Sequence, residues 1–300
     1  MAIGKPFTTF AQYNEDLILA ALFSDDKKGF YVDVGANHPI EHSVTKHFYD
    51  LGWSGINVEP NPTLAALVQK RRPRDTTLQV GVSNEKGELQ LRIYHSRDGL
   101  SGLSTFSGDM KNEYLEKPRD ATEKYTDVSV PIVTLASILT KQKVSAISFL
   151  KIDVEGFEYN VLEGMDWGVR PEVVCIEANH ITKDWRPLFT KQGYQLFIQD
   201  GLNNYYVANE AWERTEGFAE RAAEIHYTSA KAHQTKTYST QTKELTRLYG
   251  IIAEQQKRIE KLEASNVILS RTSLSKQTYI VRIKRAIKGL TIGWLQDRKK

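Results

Sequence analysis

Cysteine is nearly absent: Cys175 is the only one in 300 residues. No disulfide can form within the chain, and a reducing compartment suits it. Its place in the run Val173-Val174-Cys175-Ile176 makes it a small buried hydrophobe rather than a reactive thiol. Long hydrophobic runs are also missing, so no span across a bilayer is predicted. Residues 1–25 show no basic stretch leading into an apolar one. No signal peptide is therefore expected, and the expected address is the cytoplasm. Nor does one sign of charge dominate, since 40 basic and 37 acidic side chains leave +3. That near-balance hides an asymmetry. Residues 271–300 carry nine Lys and Arg against one acid, whereas residues 1–270 carry 31 against 36. A mildly acidic body argues against nucleic acid as a partner and sets the basic tail apart.

What is present is an alternation of short apolar strands and helices. Residues 7–23 read as an opening helix. Residues 30–34, 55–58, 77–82, 147–152 and 172–177 read as buried strands, with helices at 43–51 and 62–72, a stretch 131–139 that leads into a helix, and another helix running from after Gly156 to about Gly164. Residues 88–95 alternate like a hairpin strand after the turn-like Asn84-Glu85-Lys86-Gly87. Residues 96–130 are polar and weakly periodic, and read as a long functional loop or lid. Residues 194–199 and 204–208 form a terminal hairpin around Asp200-Gly201-Leu202-Asn203. The fold class is α/β: a Rossmann-like, doubly wound, mostly parallel sheet ending in a β-hairpin. A coiled coil and an amphipathic helix follow it.

The expected domains are a body at 1–210, a helical linker at 211–244, a coiled coil at 245–270 and a basic tail at 271–300. Leu245, Leu248, Ile252, Gln255, Ile259, Leu262, Asn266 and Leu269 fall at alternating spacings of three and four, the seam of a dimer or trimer. In the tail, Tyr279, Ile280, Ile283, Ala286, Ile287, Leu290 and Trp294 share one helical face and Arg282, Lys284, Arg285 and Lys288 the other. That pattern suits a helix lying on a membrane, here the inner face, or one docked on a protein partner.

Polar residues recur where the strands end, and in a doubly wound sheet those ends hold the ligand. Asp33, Gly35, Ala36 and Asn37 form the first turn, where glycine permits close approach and the amides can donate to a ligand. Glu59 and Pro60 end the second strand, with the carboxylate suited to ribose hydroxyls, and Ser83 ends the third near an adenine position. Asp153 and Glu155 end the fourth, and Glu177, Asn179 and His180 the fifth. Gly-x-Gly-x-x-Gly is missing, because Asn37, His38 and Pro39 follow Ala36. A pyrophosphate-binding turn relies on those glycines. S-adenosylmethionine has no phosphate but carries a sulfonium cation and a ribose, so an acidic, glycine-poor turn favours methyl transfer over hydride transfer.

Three motifs carry a resemblance: Phe30-Tyr31-Val32-Asp33-Val34-Gly35-Ala36-Asn37, Gly55-Ile56-Asn57-Val58-Glu59-Pro60, and Phe149-Leu150-Lys151-Ile152-Asp153-Val154-Glu155-Gly156-Phe157-Glu158. With Val174-Cys175-Ile176-Glu177 and the opening Phe10-Ala11-Gln12-Tyr13-Asn14-Glu15-Asp16, the chain over roughly 7–208 resembles the FkbM-type methyltransferases. The resemblance implies an S-adenosylmethionine-dependent O-methyltransferase acting on sugars of polysaccharides or natural products. Many members have Gly where Pro39 stands.

Methyl transfer to a hydroxyl needs alignment and a route for the proton. Asp153, Glu155 and His180 are the candidate catalytic residues, with His180 a candidate base. Asp153, Glu177 and Asn179 are an alternative oxygen-ligand set for Mg²⁺. The expected acceptor is a glycan or glycolipid. Two other readings stay open: an NAD-dependent sugar oxidoreductase, and an inactive oligomeric membrane scaffold.

Overall fold

The computed structural model of the chain describes residues 7–95, 104–107, 124–179, 181 and 183–232. The expected coiled coil and basic tail lie outside them, as does most of the polar stretch after residue 95. Two sheets organise the described residues. The larger has strands β1 (Phe30–Val34), β2 (Ser54–Val58), β3 (Thr76–Leu78), β8 (Ile147–Ile152), β9 (Pro171–Glu177), β10 (Tyr194–Gln199) and β11 (Asn203–Ala208). Their order is β10-β11-β9-β8-β1-β2-β3. From β3 through β9 all pairings are parallel, and the expected terminal hairpin β10–β11 adds antiparallel to β9. After β1 the chain winds outward to β2 and β3, then returns to place β8 on the other flank of β1. The connections leaving the carboxyl ends of β1 and β8 therefore run to opposite sides and leave a crevice above the paired strand ends.

Strands such as Phe-Tyr-Val-Asp-Val in β1 are apolar almost throughout because both faces are covered. Phe48, Trp53 and Phe149 pack with ring centroids 4.8–6.1 Å apart on one face. Each such ring is fully buried and contributes roughly 1.5–3 kcal/mol.

Helices α1 (Glu15–Leu22), α2 (Lys46–Asp50), α3 (Pro62–Arg71), α4 (Leu135–Lys141), α5 (Glu158–Glu163) and α6 (Arg186–Lys191) connect the strands. Helix α3 is started by Asn61, whose side chain accepts from Thr63 N and Leu64 N, with Pro62 in the first turn. The opening helix is shorter than the 7–23 expected. The Asp16 carboxylate accepts from Thr9 Oγ1, Phe10 N and Ala11 N, which folds that segment into a turn instead. Helix α7 (Phe218–Ala232) lies in the span expected as a linker, and its Phe218, Ala219, Ala222 and Ile225 are buried. Arg221 Nε donates to Ala21 O at 2.6 Å and ties α7 to α1. Among the described residues no helix is long and apolar enough to cross a membrane.

The smaller sheet corrects the sequence reading twice. The strand expected at 77–82 is two strands: β3 pairs with β2, and β4 (Gly81–Ser83) crosses to the second sheet. Leu78, Val80 and Val82 keep alternating through the break, so periodicity does not reveal the change of partner. The stretch 96–130, expected to be loop, contains β6 (Ser104–Ser107) and most of β7 (Lys124–Thr134). These join β5 (Gly87–His95) in the order β4-β7-β5-β6. Val128, Val130 and Ile132 alternate with Asp127, Ser129 and Pro131, and the proline reads as a breaker although it sits inside the strand. Leu91, Val130 and Ile132 form the core of this sheet.

Candidate functional site

The first turn is built by backbone bonds to the next strand. Gly35 N and Ala36 N both donate to Val58 O, at 3.0 and 3.1 Å. Asn37 N donates to Glu59 Oε2 at 2.7 Å, and Asn61 N to Glu59 Oε1 at 2.9 Å. Gly35 and Asn37 lie in the left-handed region, at φ 80° and 51°. A Cβ on Gly35 would stand 1.8 Å from the Asp153 carbonyl oxygen. The close approach that glycine permits here is thus to the turn after β8. Amides expected to point at a ligand are spent within the protein, and Glu59 clamps two turns. Burial holds the Glu59 carboxyl up at about 7 against the pull of those two amides.

Beneath the turn lies a cation that the sequence reading passed over. Lys151 is 7% exposed. Its Nζ stands 3.3 Å from Asp33 Oδ1 and 3.4 Å from Asp153 Oδ2, and donates to Gly35 O at 2.5 Å. Burial alone would lower its pKa, but the Asp33 and Asp153 charges win and raise it. Asp33 Oδ2 accepts from Thr45 Oγ1 at 2.8 Å, and Arg72 donates to Thr45 Oγ1, Ser43 Oγ and Pro39 O. Buried Arg72 thereby fixes residues 39–45, including Pro39.

The turn after β8 is strained, with Glu155 at φ 53° and Gly156 at φ 104°. Glu158 Oε1 accepts from Val154 N and Gly156 N and holds it. At the end of β9, Asn179 Nδ2 donates to Glu177 Oε1 at 3.0 Å. Oε2 of Glu177 is buried with no donor among the described residues. Burial first, then the charges of Asp153 and Glu155, hold Glu177 well above the usual carboxylate range. This arrangement does not fit the Mg²⁺ set expected from Asp153, Glu177 and Asn179. Asn179 turns its N–H towards Glu177 Oε1 rather than presenting its oxygen to a shared centre. Among the described residues no three His, Cys, Asp or Glu group as metal ligands. His180 lies outside the described residues.

A pocket opens over the crevice. Gly35, Asn37, Glu59, Pro60, Asp153 and Glu155 line its polar side, and Leu64, Val80, Val82 and Leu91 its apolar side. Asp33 and Ala36 sit just below, buried. Ser83 stands apart from this lining, and its hydroxyl donates to Asn84 Oδ1 at 3.2 Å. The apolar wall comes partly from β4 and β5 of the smaller sheet. Carboxylates and an apolar wall thus share one lining. Six of the twelve expected residues line the pocket, and Asp33 and Ala36 lie beneath it.

A family model described as the methyltransferase FkbM domain matches residues 33–196. This chain belongs to the FkbM methyltransferase family. The match begins at Asp33 and takes in every pocket residue. Methyltransferase sdnD of Sordaria araneosa is 25% identical over 194 residues, 57% of this chain and 72% of that one. Among solved structures, a TehB-like SAM-dependent methyltransferase from Corynebacterium glutamicum is 9% identical, at a TM-score of 0.31 over 64% of this chain and 87% of that one. A SAM-dependent methyltransferase from Geobacter sulfurreducens, in complex with S-adenosyl-L-homocysteine, is 11% identical, at 0.29 over 85% and 88%. At those TM-scores the likeness carries no argument. For this FkbM chain, family and pocket geometry carry the reading.

Proposed function

We propose that this chain transfers a methyl group from S-adenosylmethionine to a hydroxyl, on a sugar of a polysaccharide or glycolipid. The carrying observation is that the first-turn amides, of Gly35, Ala36 and Asn37, are all consumed by Val58 O and Glu59. No anion cradle is left at the point where a dinucleotide's pyrophosphate needs one, and carboxylates stand there instead. That weighs against the nicotinamide reading and suits a cation.

The residues fit the donor. When bound, it supplies an electrophilic methyl on a sulfonium. Glu59 uses one lone pair of each oxygen on backbone amides, and the remaining ones would be available to ribose hydroxyls. Val80, Val82 and Leu91 offer a dry wall to a flat ring. Asp153, whose side chain is 39% exposed at the rim, is placed to orient the acceptor hydroxyl, with Glu155 beside it. His180 is the candidate that receives the hydroxyl's proton. The same proposal has the chain oligomerise through 245–270 and meet a membrane surface through 271–300, where lipid-linked glycans are assembled.

Calorimetric titration with S-adenosylhomocysteine and with NAD tests the donor, and labelled methyl transfer to glycan acceptors tests the reaction. Binding of S-adenosylhomocysteine alone, with transfer abolished by Asp153→Ala, is the expected result. Binding of NAD alone, or undiminished transfer by Asp153→Ala, would overturn it.

A further inference from the structure

Across the main sheet, Asn57, Asp33, Lys151, Cys175 and Tyr205 stand in register on β2, β1, β8, β9 and β11. All are buried, and Lys151 is the one cation of the row. A buried ammonium is costly unless its donors are satisfied. Lys151 has three, and three oxygens surround it: Asp33 Oδ1, Asp153 Oδ2 and the Gly35 carbonyl. Gly35 and Asp153 lie two residues beyond the row, about 7 Å nearer the rim of the sheet. The lysine stem climbs that distance inside the fold. Its head meets the pocket's floor from below, where Asp33 secures it and the other two oxygens belong to the pocket lining.

We infer that Lys151 is a positioning residue of the donor site, holding the Gly35 turn and the Asp153 carboxylate in register with each other so that the pocket accepts the donor. This rests on the donor assignment above. Each strand end could fold without the tether, since Asp153 N already donates to Val34 O at 3.0 Å. That bond fixes backbone to backbone and leaves the Asp153 side chain, more than a third exposed, to be directed by the Lys151 ammonium 3.4 Å away. The ammonium supplies that direction.

The test uses the full chain and S-adenosylhomocysteine, with affinity read by calorimetry and folding by thermal unfolding. Lys151→Met alone leaves Asp33 buried beside no cation and is expected to unfold at lower temperature. In Asp33→Asn/Lys151→Met the two buried charges leave together, so stability returns towards that of Asp33→Asn. Affinity of the double variant is expected to stay about tenfold to a hundredfold below that of Asp33→Asn. Equal affinity in those two variants would overturn the inference while leaving the donor assignment intact. Failure of the charge-balanced double variant to unfold cooperatively would assign Lys151 to folding and overturn it equally. No binding by the unaltered chain would overturn the donor assignment itself, and this inference with it.

Discussion

Over β1, β2 and β8 the carboxylates stand beside a buried ammonium and an open pocket, whereas beside β9 and β11 they are closed in. There Glu15 accepts from Tyr13 N and Asn203 Nδ2, and Asp200 accepts from Leu202 N, Asn203 N and Tyr205 OH. Asp16 does the same for the segment before α1. These acids complete turns. Asp33 and Asp153 instead answer a cation. The contrast teaches that an acid near a strand tip has two physical uses, and that Glu59 combines them, clamping two turns from the pocket wall.

Substitutions can break or sharpen this contrast. The largest effect is expected at Gly35→Ala, where φ is +80° and the new Cβ meets the Asp153 carbonyl. A loss of about 3 kcal/mol in urea unfolding is expected. A loss under about 1 kcal/mol would mean that the β1 and β8 turns are not in contact as described. Leu91→Ala removes a 1% exposed side chain from the smaller sheet and from the pocket wall together. It should cost roughly 2 kcal/mol and weaken S-adenosylhomocysteine binding. Unchanged affinity would separate the smaller sheet from the site.

Glu59→Gln turns one acceptor into a donor facing a backbone amide. About 1–2 kcal/mol of stability should be lost, and none if the clamp is idle. In the closed half the signature is pH. Burial raises the Glu15 carboxyl from 4.5 to about 7. Between those values the folded chain holds a proton that the unfolded chain has released. Stability from this group is full below about 4.5 and is lost as pH rises through 7, at up to about 1 kcal/mol per pH unit. Chemical denaturation across that window should show the slope, and Glu15→Gln should flatten it. The smallest effect is expected on the outer face of the smaller sheet. Arg92 pairs with Asp127 at 2.8 Å with both side chains about a third exposed, so Arg92→Ala should cost under about 1 kcal/mol and leave ligand affinity alone.

Much of this was legible in the sequence, for identifiable reasons. β1, β8 and β9 are covered on both faces and so read as apolar runs, and their polar tips stand out against them. The chain's move from β3 into β4 was not legible, because Leu78, Val80 and Val82 alternate identically before and after it. β7 was hidden by Pro131. Lys151 was in view all along as the one charge in an apolar strand, Ile147–Ile152. Its meaning needs the register that sets it opposite Asp33, and register is a property of the assembled sheet. Arg72 escaped for the same reason, since its partners at Pro39, Ser43 and Thr45 are some thirty residues away.

A crystal structure of the full chain with S-adenosylhomocysteine tests the central claim most directly. The account predicts the ligand in the crevice between the turns after β1, β2 and β8, its adenosine against Val80, Val82 and Leu91 and its sulfur towards Asp153. Ligand bound elsewhere on the chain, with that crevice left empty, would contradict it.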